Sequence, residues 1–103
     1  MQERRTAQRF RSNFNARWES LLDHGRGSVS DLSSTGCFIL CGAELKSGEL
    51  IRLEIDFPNH LIFAWGQVVY CLEEIGFALR FVFGEESEER ALRKLIEQLP
   101  QSV

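Results

Sequence analysis

Apolar and polar residues alternate strictly through several stretches of the chain. Ile51, Leu53, Ile55 and Phe57 alternate with Arg52, Glu54 and Asp56, the pattern of a strand with one buried and one wet face. Ile75, Phe77, Leu79, Phe81 and Phe83 alternate in the same way with Gly76, Ala78, Arg80 and Val82. Phe14, Ala16 and Trp18 alternate with Asn15, Arg17 and Glu19, and Leu21-Leu22 close that run. Ser28–Leu32 and Cys37–Cys41 are short apolar strands. Leu61–Leu72 is a long one interrupted by Gly66, where a bulge or bend is expected. Turn residues separate these runs. Asp23–Gly27 predicts a hairpin loop with two glycines, Gly42–Gly48 a loop with the apolar pegs Ala43 and Leu45, and Pro58-Asn59-His60 and Glu73-Glu74 two turns.

After Gly84 the period lengthens. Leu92, Leu95, Ile96 and Leu99 fall at i, i+3, i+4 and i+7, one apolar stripe of a helix over about 87–99. Ser87 suits the N-cap, Glu88 and Glu89 suit the first turn, and Pro100 ends the helix. Residues 1–12 show no apolar periodicity and read as a flexible, arginine-rich arm ahead of a single domain over 13–103. The fold class is mainly β: about six antiparallel strands forming a closed or nearly closed barrel, with a C-terminal helix covering part of it.

Composition narrows the function. One hundred and three residues suffice for one core but not two. The net charge of −3 argues against a general binder of nucleic acid or anionic membrane. The charge is uneven, however. Arg4, Arg5, Arg9, Arg11 and Arg17 crowd the first segment, so a local anion site is compatible with an acidic average. Cys37, Cys41 and Cys71 lie inside apolar runs and read as small core residues of a reducing compartment. No metal site is expected from them, because the spacing is wrong and only His24 and His60 could join. Nothing in the sequence resembles a signal peptide or a membrane span, which points to the cytoplasm. The two histidines fall in turns beside no nucleophile, and no glycine-rich phosphate loop is present, so no catalytic residue is expected. Trp18 and Trp65 read as barrel packing. Phe57, Phe77, Phe81 and Phe83 take core-facing phases, which leaves no aromatic face for single-stranded nucleic acid.

Two polar clusters remain. Asp31-Leu32-Ser33-Ser34-Thr35-Gly36 joins two apolar strands and, taken alone, is a turn: Asp, Ser and Thr bond local backbone and Gly permits unusual dihedrals. Asp31 and Ser33, two residues apart on extended backbone, point to the same side. Arg5 and Arg9 stand four residues apart with Arg4 in front, and arginine forks suit phosphates and the O6/N7 edge of guanine. An RxxxR pair, about two strands, a (D/N)xSxxG connection, a small barrel and a final helix together resemble the PilZ domain family over nearly the whole chain. The matching residues are Arg5 and Arg9, then Asp31, Ser33 and Gly36. Gly48–Ile51, Gly66–Val69 and Ile75–Phe81 are similar to later strands of the family.

The resemblance implies a PilZ-like barrel that binds the bacterial second messenger cyclic di-GMP, with no catalysis and no other cofactor. The ligand residues it implies are Arg4, Arg5, Arg9, Asp31, Ser33 and Gly36. Asp31, helped by Ser33, faces guanine N1–H and N2–H₂; the arginines share guanine edges and phosphates; Gly36 lets backbone and ligand approach. Binding is expected to order the arm and alter contact with a downstream protein partner in motility or biofilm regulation. The protein is expected as a monomer or weak dimer. The competing reading is a PilZ-like adaptor in motility or pilus assembly that binds no nucleotide.

Overall fold

The computed structural model describes residues 9–58 and 60–98. Six strands, β1 (Phe10–Glu19), β2 (His24–Leu32), β3 (Gly36–Leu40), β4 (Leu50–Phe57), β5 (His60–Leu72) and β6 (Gly76–Val82), precede one helix, α1 (Glu86–Glu97). The strands close into an antiparallel barrel in the order β1-β2-β3-β6-β5-β4. Closure is made where β4 returns to β1, with Ala16 opposite Ile55 and Trp18 opposite Leu53. On the outer side of that seam Arg17 Nε donates to Glu54 Oε1 at 2.8 Å.

Alternation places one apolar row of each strand inside. Val29, Ile39, Ile51, Leu53, Ile55 and Phe77 are wholly buried. The rings lock edge to face, Trp18 against Phe77 at 5.7 Å and Phe14 against Phe57 at 4.9 Å. The 41–49 connection crosses from β3 to β4 and buries Leu45. Cys37 is buried, Cys41 and Cys71 pack against the core, and all three are free thiols. Leu92 and Ile96 of α1 join the same core, as the helical stripe predicts. Leu99 and Pro100 lie outside the described residues.

Several boundaries differ from the sequence expectation, each for a local reason. β1 begins at Phe10, so residues 10–12 are strand rather than arm: Phe10 is buried opposite Leu32, an anchor that an isolated aromatic among polar residues does not advertise. The first hairpin turns earlier than Asp23–Gly27. Ser20 N–H donates to the Asp23 carbonyl at 2.7 Å and Asp23 N–H donates to Ser20 Oγ at 3.1 Å. That polar clasp leaves Leu21 and Leu22 at the tip, 95% and 93% exposed, rather than closing a strand. Phe57 pairs with His60, which already belongs to β5; Asn59 is outside the described residues.

The bulge in β5 lies between Val68 and Tyr70, not at Gly66. Gly66 keeps regular pairing with Ile51 and Phe81, and its side chain is missing because Leu79 packs over it, 3.3 Å from where a Cβ would stand. The helix starts one residue ahead of Ser87, with Glu85 at the N-cap. Ser87 Oγ bonds to Glu85 Oε1 instead, and Glu88 reaches back to accept from Gly84 N–H at 2.9 Å. Trp65 stands 49% exposed on the outer face rather than packing the barrel.

Candidate functional site

Where β1 enters the barrel beside the end of β2, Phe10 and Leu32 pair and bury their side chains. That anchor holds the preceding residue, Arg9, over the outer face of β2. Arg9 Nη1 donates to Asp31 Oδ2 at 2.6 Å, with the two side chains 58% and 33% exposed. A guanidinium and a carboxylate 22 positions apart in sequence thus meet in space. At this exposure the pair contributes no more than about 1 kcal/mol to stability and is free to exchange partners.

The Ser33–Gly36 turn follows. Ser33 N–H donates to the Gly36 carbonyl at 2.9 Å, and Ser33 Oγ accepts from Thr35 N–H and Gly36 N–H at 3.2 and 3.3 Å. Ser33 is only 7% exposed, and its hydroxyl also bonds Thr35 Oγ1 at 3.0 Å. The sequence reading turns Ser33 outward beside Asp31. In the structure it faces into the turn, because four local groups, the Thr35 and Gly36 amides, Thr35 Oγ1 and the Gly36 carbonyl, bond its hydroxyl. The turn is tied to β6 through Phe81 N–H on the Thr35 carbonyl at 2.8 Å.

Gly36 has a different reason from the one expected. It pairs with Arg80 on β6, and a Cβ there would lie 2.1 Å from the Leu79 carbonyl oxygen. Only a residue without a side chain permits the two strands to approach so closely. The glycine of the motif is required by the barrel itself, whatever occupies the surface above it.

Arg9, Asp31 and the turn border a depression of about 390 Å³ whose floor is the outer face of β3, β5 and β6, including Phe38, Tyr70 and Arg80. Beneath it, Cys37 is buried. Desolvation pushes its thiol well above the ordinary value and the Asp31 carboxylate adds to that, so Cys37 stays a neutral core residue. The structure therefore brings together Arg9, Asp31, Ser33 and Gly36 from the sequence-predicted set. Arg4 and Arg5 lie outside the described residues. Several lining residues escaped the sequence reading, among them Arg80, Phe38 and Tyr70. Arg80 is legible as a polar position in the β6 alternation, whereas Phe38 and Tyr70 sit in runs that read as ordinary apolar strands. A larger hollow of about 740 Å³, between Leu21, Leu22, Leu50 and Trp65, is mostly apolar, with Arg52 and Glu19 3.8 Å apart at its edge.

A family model described as PilZ domain matches residues 3–98. No curated protein matches the chain. Several solved structures share this shape. The PilZ domain of YcgR from Escherichia coli with c-di-GMP is similar at a TM-score of 0.78 and 19% identity, covering 94% of this chain and 92% of that one. The inhibitor of motility MotI/DgrA of Bacillus subtilis has a TM-score of 0.73 and 18% identity, covering 94% of this chain and 53% of that one. The MrkH–c-di-GMP complex of K. pneumonia has a TM-score of 0.77 and 18% identity, covering 92% and 52%. The chain thus spans about half the length of MotI and MrkH and nearly all of the YcgR domain. At these identities the likeness concerns the fold.

Proposed function

The chain belongs to the PilZ domain family, and on that premise we propose that it is a receptor for cyclic di-GMP that performs no catalysis. The observation that carries this reading is the contact of Arg9 with Asp31 at the rim of the depression, beside the Gly36 turn. Cyclic di-GMP is a dianion with two guanines. Each guanine offers O6 and N7 acceptors on one edge, which match a guanidinium fork, and N1–H and N2–H₂ donors on another, which match a carboxylate. Arg9 and Asp31 are such a pair, already adjacent, and guanine replaces their mutual ion pair with charge-assisted hydrogen bonds to each. Each good bidentate contact discriminates by about 1–3 kcal/mol, enough to select guanine over adenine. Ser33 serves by holding the turn that sets Asp31 at the rim. Arg4 and Arg5 supply further charge for the phosphates. That YcgR and MrkH were solved with c-di-GMP supports the reading. Binding in the cytoplasm would change what the barrel face presents to a downstream protein.

Calorimetric titration with cyclic di-GMP, beside cyclic di-AMP and GMP, tests the proposal. Saturable heat is expected only with cyclic di-GMP. Arg9→Ala and Asp31→Ala should each weaken binding at least tenfold with little change in melting temperature, since both side chains are solvent-facing. No heat at tens of micromolar protein would sink the receptor reading.

A further inference from the structure

The register of the barrel draws two rows of outward positions across the depression. Asp31 is opposite Phe38, Phe38 opposite Ala78, and Ala78 opposite Tyr70. Carboxylate, ring, methyl and ring therefore follow one another from β2 to β5. The neighbouring row runs from Gly36 to Arg80 to Gln67. Gly36 and Ala78 keep the floor low between the Arg80 side chain and the aromatic pair. The Phe38 and Tyr70 rings lie 6.2 Å apart at 42°, and Tyr70 is 50% exposed.

Two β-bulges create this arrangement. One extra residue enters between Val29 and Asp31 on β2, another between Val68 and Tyr70 on β5. Without the second, Val69 rather than Tyr70 would stand opposite Ala78, because a one-residue slip exchanges the two faces of a strand. Ser30 and Val69, the inserted residues, both line the depression. Bulges that re-aim side chains gather beside binding sites. Three strand spacings, roughly 14 Å along the sheet, separate Asp31 from Tyr70. A ligand engaging both must be longer than a single purine.

Arg80 differs from Arg9 in having no acid to pair with among the described residues. Its one polar contact there is Nη2 on Gln67 Oε1 at 3.5 Å, the outer limit of a hydrogen bond. A half-satisfied guanidinium at the edge of a dianion site has an unused fork for an anion.

We propose that Arg80 is a further ligand-binding arginine that holds a phosphate of the dinucleotide, and that the Phe38–Tyr70 pair is the platform on which one of its bases stacks. This rests on the receptor reading and adds to it the residues that fix the far end of the ligand. The test is calorimetric titration with cyclic di-GMP at low and high salt. It compares the unaltered chain with Arg80→Met, Arg80→Lys, Tyr70→Ala and Tyr70→Phe. R80M should bind about tenfold more weakly with a flatter salt dependence, while R80K keeps the salt dependence. Y70A should lose about tenfold and Y70F no more than twofold. Melting temperatures should hold, because both side chains are exposed; a purely structural role would leave the salt dependence unchanged. R80M within twofold of the unaltered chain, or with its salt dependence intact, overturns the phosphate assignment. Y70A within twofold overturns the platform. Should R80M fail to fold, Arg80→Gln gives the same readout. Absence of binding by the unaltered chain overturns the receptor reading and this inference together. Normal binding by all variants overturns this inference alone.

Discussion

At the scale of single residues, the site shows one side chain serving the fold while its neighbours face the solvent. Asp31 and Ser33 are two positions apart, yet Asp31 contacts Arg9 at the rim and Ser33 is buried in its own turn. Cys37, directly beneath, feels both burial and the Asp31 charge. Its raised proton affinity has a measurable consequence. The native thiol stays protonated where the unfolded thiol ionises, so above the ordinary value of 9.0 the unfolded state binds fewer protons and is favoured. Stability contributed by Cys37 is therefore complete below about pH 8 and falls as pH rises beyond it, by at most about 1.4 kcal/mol per pH unit. Urea denaturation between pH 7 and 10 should show this slope, and Cys37→Ala should reduce it. An identical slope in the variant would contradict the burial argument.

At the scale of elements, strand pairing dictates residues that a motif alone would assign to a ligand. The sequence marks Gly36 as part of (D/N)xSxxG, but the β3–β6 ladder leaves no room for a Cβ against the Leu79 carbonyl. Gly36→Ala should cost roughly 1–3 kcal/mol of stability by forcing backbone apart. Thermal melting of the free protein reads this directly, and an unchanged melting temperature would return Gly36 to a ligand role alone. The helix obeys its pattern more simply. Leu92 and Ile96 are buried as the stripe predicts, while Glu86 and Glu89 face Arg90 and Arg93 one turn on. Its start moved ahead of Ser87 because Glu88 reaches back to the Gly84 amide, a choice between neighbouring polar groups that propensity cannot rank.

At the scale of the whole molecule, the barrel brings the N-terminal segment onto strands from the middle and end of the chain. Phe10 and Arg11 pair with Leu32 and Asp31 of β2, and Ser12 Oγ donates to the Val29 carbonyl, so residues 10–12 are fixed before any ligand arrives. The expected ordering of the arm therefore applies ahead of Phe10. Amide hydrogen exchange with saturating cyclic di-GMP should gain protection over residues 1–8, with the ladder from Phe10 onward protected in both states. Equal exchange of residues 1–8 with and without ligand would rule out arm ordering as the signal.

The sequence by itself determined the six strands, the closing helix, the inward rows and the Arg9, Asp31 and Gly36 cluster. The strands, helix and inward rows depend on local periodicity, whereas the grouping of Arg9 with Asp31 and Gly36 came from the resemblance to the family's two motifs. Strand ends, bulge positions and the outer-face row were decided only by tertiary structure. A bulge leaves almost no trace in composition, yet each one shifts every later side chain relative to its partner strand. That is why Tyr70 and Phe38, unremarkable within apolar runs, come to stand beside Asp31 and Arg80 only once β2, β3, β6 and β5 are laid side by side.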